Sequence, residues 1–181
     1  MGMMQQILQE ISQVLIKIKE ADLVEIVEQI NAANRVFVIG EGRSGFMAKS
    51  FAMRLMHLGI NSYVIGETIT PSIAEGDVLV AISGSGSTHH VVWTAQKARA
   101  LGVQVIALTT NGDSELARHA NRLLVVPAAT KFRLEGERDS IQPLGSLFDQ
   151  SAHVIFDTIC LMKMQEVSQG AAFKAHSNLE S

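Results

Sequence analysis

A chain of 181 residues that is 47% hydrophobic and 18% charged is too apolar to stay disordered, and its length suits one α/β domain. A formal charge of −3 with no basic block argues against duplex nucleic acid as a partner, and no run approaches the ~18 apolar residues of a membrane span. One cysteine and an N-terminus without a basic region followed by an apolar core make a reducing, cytoplasmic location the expectation.

Two helical patterns open the chain, within residues 3–32. Ile7, Ile11, Val14, Leu15 and Ile18 recur at spacings of three and four, and so do Leu23, Ile26, Val27 and Ile30. A break falls near Lys19 to Ala21, where Glu20, Asp22 and Glu25 favour a new helix start. These helices are expected to cover a sheet or meet a subunit neighbour.

From Arg35 onward, short Val/Ile/Leu runs alternate with helical segments. Strands are expected at Val36–Ile39, Ser62–Ile65, Val78–Ile82, Val103–Leu108 and Leu123–Val126, with helices over about Ser44–Leu58, Thr88–Leu101 and Ser114–Ala120. Continuous apolar strands joined by crossover helices predict a parallel sheet buried on both faces. No long helix is signalled between the second and third strands. The helix after Gly40 carries Met47, Phe51, Met53, Leu55 and Met56 on more than one face, which suits packing on the sheet and against a further element. Pro127 to Pro143 has no sustained apolar period, so this connection is functional or mobile. A last helix is expected over Leu144–Val167, where Cys160 reads as a small buried hydrophobe rather than a reactive thiol.

Two glycine-rich turns follow strands. Gly40, Gly42 and Gly45 match part of a GxGxxG dinucleotide pattern, but no acidic partner is well placed some twenty positions later, and a Walker lysine is missing. The second turn, Ser83-Gly84-Ser85-Gly86-Ser87-Thr88, sets hydroxyls and helix-start amides where a phosphate can accept from them. The competing reading is a plain tight βα turn. The chain has 6 histidines but no HExxH, and adjacent His89 and His90 lack a third ligand at metal spacing, so no metal is expected. His153 lies four residues after Asp149 on the last helix, a spacing that either orients its ring or merely makes a solvated pair.

The serine-rich turn resembles that of sugar isomerase (SIS) domains. Beyond it, GRSGFMAKSFAMRLMHLG at Gly42–Gly59, VIGETITP at Val64–Pro71, ISGSGST at Ile82–Thr88, QPLGSLFDQ at Gln142–Gln150 and HSNLE at His176–Glu180 occur in order and resemble the 6-phospho-3-hexuloisomerase family. The resemblance implies a single SIS domain over 1–181. Its fold is a three-layer α/β/α sandwich with a five-stranded parallel, flavodoxin-like sheet. It also implies a homotetramer, with helices 3–32 and a tail at 168–181 packing at subunit contacts.

The implied reaction interconverts D-arabino-hex-3-ulose 6-phosphate and D-fructose 6-phosphate through a cis-enediolate. It needs no organic cofactor or metal, and belongs to formaldehyde fixation by the ribulose monophosphate pathway. By the same resemblance, Ser44, Ser83, Ser85, Ser87 and Thr88 hold the phosphate, with the amides of Gly84 and Gly86. Arg43 steadies the substrate or the enediolate, Asp149 stands where the family has its glutamate base, and Glu67 is the competing carboxylate. His176 is expected to work in another subunit's site. The sequence departs from the family in having Ser87 after the Ser-Gly-Ser-Gly turn, FDQ for FEQ and HSNLE for HANLE. Rival readings are another SIS aldose–ketose isomerase of a phosphosugar and a non-catalytic sugar-phosphate sensor.

Overall fold

The computed structural model describes residues 1–133, 139–165 and 175–176. Helices α1 (Met3–Leu15) and α2 (Glu20–Ala32) precede β1 (Val36–Gly40), α3 (Gly42–His57), β2 (Ser62–Val64), β3 (Val78–Ile82), α4 (His89–Ala100), β4 (Gln104–Thr109), α5 (Glu115–Arg118), β5 (Arg122–Val125) and α6 (Ser146–Met164). The strands form one parallel five-stranded sheet in the order β2-β1-β3-β4-β5.

Alternation along the strands sorts the core into two layers. Val36, Val38, Val78, Val80 and Ile82 face a cluster built with α2, α3 and α6, against which Ile11, Leu15 and Ile18 also pack. Phe37, Ile39, Leu79 and Ala81 face the other cluster, closed by Val91, Val92, Ala95 and Ala98 of α4 and Leu116 of α5. Each fully buried Val, Leu, Ile or Phe contributes about 1.5–3 kcal/mol, which is why strands buried on both faces are apolar at every position. The α/β/α sandwich that the family resemblance implies is the architecture found.

Differences lie at element ends. The last helix starts at Ser146 rather than Leu144, because Leu144 adopts φ 53°, a left-handed conformation that cannot continue a right-handed helix. Its expected end at Val167 falls outside the described residues, as does most of the 168–181 tail. Cys160 is 5% exposed, and burial pushes its thiol up to about 12, so it stays protonated and inert. No helix of the described residues is long and apolar enough to cross a membrane.

The strand order places the functional region. From β1 the chain runs outward to β2 on one side, while β3, β4 and β5 extend on the other. The carboxyl ends of β1 and β3 therefore flank a topological switch point, the usual crevice of an open α/β sheet.

Candidate active site

At that switch point lies a cavity of about 360 Å³, lined by the β1–α3 turn, the β3–α4 turn, Thr130 and Lys131, and the segment leading into α6. Such a volume suits a small phosphorylated metabolite.

The β3–α4 turn is organised from within. The Gly86 amide donates to Ser83 Oγ at 3.1 Å, and Ser83 Oγ shares a hydrogen bond with Thr88 Oγ1 at 2.8 Å. Ser87 donates to Ser85 Oγ through both its amide and its hydroxyl, at 3.3 and 3.1 Å. Behind the turn, Thr109 Oγ1 and Thr110 Oγ1 donate to the Gly84 carbonyl. Gly86 has φ 64°, and a Cβ there would stand 2.2 Å from Ser114 Oγ, so only glycine fits. Thr88 caps α4 without a side-chain hydrogen bond to the helix, leaving the first-turn amides available to an anion.

The β1–α3 turn brings Arg43 and Ser44 to the same cavity. A Cβ at Gly45 would lie 2.8 Å from the Gly40 carbonyl oxygen, which shows how closely the strand end and the helix start cross. Arg43 Nη1 donates to Ser146 Oγ at 2.6 Å, while its Nε stands 3.7 Å from Asp149 Oδ2. Ser44 Oγ donates to Asp149 Oδ1 at 2.7 Å. Asp149 is 6% exposed, in the first turn of α6. Burial pushes its carboxyl above the ordinary aspartate range, and the Ser44 hydrogen bond and the Arg43 charge hold that rise in check.

Of the residues singled out in the sequence, Arg43, Ser44, Ser83, Gly84, Ser85, Thr88 and Asp149 line the cavity together. Gly86 and Ser87 are not in the lining: Gly86 is buried beneath the turn, and Ser87 is exposed and braces Ser85. Glu67 is half exposed and paired with Lys49 at 2.6 Å, away from the lining. His176 is likewise apart from the cavity of its own chain, stacked 5.3 Å from the buried His57. His153 turns to Asp157 at 3.5 Å rather than to Asp149.

Glu41, Thr130, Lys131 and Ser146 line the cavity without having been signalled. Glu41 pairs with His90 at 2.7 Å. Ser146 lies inside the QPLGSLFDQ segment, three residues before Asp149 at helical spacing; that spacing was the available clue. Among the described residues, Arg43 and Lys131 are the cations in the lining. No group of three or more His, Cys, Asp or Glu side chains among the described residues is placed to hold a metal ion.

Residues 29–154 match the SIS domain family. The 3-hexulose-6-phosphate isomerase of Bacillus subtilis is 41% identical over 164 residues, 90% of this chain and 88% of its own. That of Mycobacterium gastri is 39% identical over 94% of this chain and 86% of its own. A crystal structure from Methanococcus jannaschii, inferred to be a 3-hexulose-6-phosphate isomerase, superposes with a TM-score of 0.84 at 29% identity, covering 97% of this chain and 98% of that one.

Proposed function

The chain belongs to the SIS domain family, and from that premise we propose that it interconverts D-arabino-hex-3-ulose 6-phosphate and D-fructose 6-phosphate. The observation that carries this reading is the buried Asp149 carboxylate, held at 2.7 Å by Ser44 in the cavity that the serine-rich turn also lines. The curated relatives at 41% and 39% identity narrow the sugar chemistry to the 3-ulose.

In this reading the phosphate sits on the β3–α4 turn, taking donors from Ser85, from whichever hydroxyl of the Ser83–Thr88 pair keeps its hydrogen, and from the Gly84 amide and the first-turn amides of α4, with Ser87 bracing Ser85. The Gly86 amide stays with Ser83 and the Ser44 hydroxyl with Asp149. Asp149 removes the proton from C2 of the 3-ulose. The electron pair of the C2–H bond forms the C2=C3 double bond, and negative charge collects on O3. Arg43 stabilises that cis-enediolate. A proton then passes from O2 to O3, and protonated Asp149 returns its proton to C3 as the C2 carbonyl forms. A raised carboxyl pKa suits this work, since the group must both accept and give back the proton. Asp149 is preferred to Glu67 because Glu67 is engaged with Lys49 outside the cavity lining.

The finer reading is a homotetramer working in formaldehyde fixation by the ribulose monophosphate pathway, with α1, α2 and the 168–181 tail at subunit contacts. Phe46, Met53 and Met56, exposed on α3, supply apolar surface for such contacts. His176, remote from its own cavity, is assigned to a neighbouring subunit's site. The test of the reaction is to offer purified protein fructose 6-phosphate and follow the 3-ulose carbonyl by carbon NMR. Turnover of a phosphorylated aldose without any 3-ulose overturns the assignment.

A further inference from the structure

Glu10, on α1, is bound to a segment 130 to 132 positions away in sequence. Its Oε1 accepts the Ile141 amide at 2.8 Å, and its Oε2 accepts Ser140 Oγ at 2.8 Å and Gln142 Nε2 at 3.1 Å. Gln142 is 5% exposed, and its carbonyl accepts a further hydrogen bond from Arg133 Nη2. Burial alone disfavours the Glu10 carboxylate, but these donors and the Arg133 charge outweigh it and hold the group ionised below its ordinary range. Three donors converging on one carboxylate from consecutive residues make a clamp rather than a passing surface contact.

What the clamp holds is the approach to the cavity wall. Pro143, Leu144, Gly145 and Ser146 follow directly and line the cavity. Leu144 sits at φ 53° and Arg133 at φ 48°, left-handed conformations that non-glycine residues keep only where surrounding contacts over-determine them. The Ser146 amide donates to the Pro143 carbonyl and the Asp149 amide to the Gly145 carbonyl, both at 3.1 Å, so the path of this segment sets the first turn of α6. Glu10 itself stands on a firm base, because its neighbours Ile11, Val14 and Leu15 pack α1 into the core.

We infer that Glu10 is a positioning residue for the isomerisation: its carboxylate pins residues 140–142 and thereby fixes the wall that presents Ser146 and Asp149. This rests on the proposed function for its kinetic consequence, whereas the pinning is independent of it. The β3–α4 turn touches α6 through Phe148, which packs on Gly84, but its own hydrogen bonds run within the turn and to Thr109 and Thr110, none of them to the clamp.

The experiment compares Glu10→Ala and Glu10→Gln with the wild-type full chain by amide hydrogen exchange, by affinity for inorganic phosphate and by kinetics. Gln keeps the volume and one acceptor oxygen, so it is the milder lesion and remains interpretable should Ala fail to fold. The expected result is faster exchange across 139–146, with the β3–α4 turn protected as before. Phosphate affinity stays within about twofold, and kcat falls about 10- to 100-fold with a smaller effect for Gln. Unchanged exchange across 139–146 overturns the inference. So does faster exchange accompanied by wild-type kcat, or phosphate affinity lost in proportion to kcat, which marks general unfolding. A wild-type chain without turnover of the 3-ulose overturns the isomerase reading alone, and the exchange comparison still decides whether Glu10 pins the wall.

Discussion

Ser44 Oγ donates to Asp149 Oδ1 across 2.7 Å, tying the first βα turn to a residue 105 positions later in the chain. The contact gives a carboxylate that is 6% exposed one committed donor and leaves its second oxygen toward Arg43, at 3.7 Å. Asp149→Asn keeps the shape and the acceptor for Ser44 but removes the proposed base. Phosphate affinity should stay within a few-fold, while solvent exchange of the substrate C–H proton should fall by about 100-fold or more, the usual range for losing a general base. Asp149→Glu should retain activity if the cavity accommodates the extra methylene. Near-normal exchange in Asp149→Asn would send the search for the base to Glu67.

The direction of the Asp149 shift fixes a stability signature. A carboxyl whose folded pKa lies above its unfolded value of about 3.9 stabilises the fold fully below that value, and the contribution is lost as pH rises through the folded pKa. Asp149→Asn should therefore raise the melting temperature at neutral pH and give no such gain near the unfolded carboxylate range. Equal shifts at both pH values would mean that the ionised form is not strained by burial.

Arg43 opposes the burial effect on Asp149, so removing it should lift that pKa further. In Arg43→Ala the acid limb of the pH–rate profile should move to higher pH. Loss of its charge opposite the enediolate should separately lower kcat by about 100-fold. A slower enzyme with an unmoved acid limb would leave Arg43 a role in charge stabilisation alone.

Within the β3–α4 turn, the proposed phosphate site, the serines are not equivalent. Ser83 is 3% exposed and its hydroxyl is engaged by Gly86 and Thr88, whereas Ser85 presents its oxygen at the cavity surface. Ser85→Ala should weaken phosphate binding by about 1.5–3 kcal/mol, the worth of one hydrogen bond to a charged group, with little change in melting temperature. Adding Ser83→Ala should deepen the binding loss to roughly 100-fold or more and also lower stability. Isothermal titration with inorganic phosphate, paired with thermal melts, separates the two effects; unchanged affinity in a folded double mutant removes the phosphate from this turn.

The sheet was legible because its signal is local. Val78–Ile82 is apolar at every position since both of its faces are buried, and a short window of sequence records that fact. The serine- and glycine-rich turn after β3 was legible as a cavity-lining βα turn for the same reason: its hydroxyls and glycines are consecutive. Lys131 and Thr130 escaped notice because nothing in their immediate neighbours marks them; they reach the cavity through the fold of the chain beyond β5. The Glu10 clamp joins residues more than a hundred positions apart, and a glutamate on the polar side of an amphipathic helix looks like any solvated charge. Glu67 drew attention through its motif, but Lys49 on the neighbouring α3 engages it, a pairing that only the three-dimensional arrangement supplies.

The position at which solvent deuterium enters fructose 6-phosphate tests the proposed reaction most directly. A 2,3-enediolate formed from this sugar has lost the C3 proton, whereas an aldose–ketose isomerase working through a 1,2-enediolate exchanges at C1. Incubated with the protein in deuterium oxide, fructose 6-phosphate should gain deuterium at C3 alongside a growing 3-ulose carbonyl signal in the carbon spectrum, and Asp149→Asn should suppress both. Deuterium at C1 without any 3-ulose would contradict the account in favour of an aldose–ketose isomerase, and saturable binding with neither exchange nor 3-ulose would contradict it in favour of a sugar-phosphate sensor.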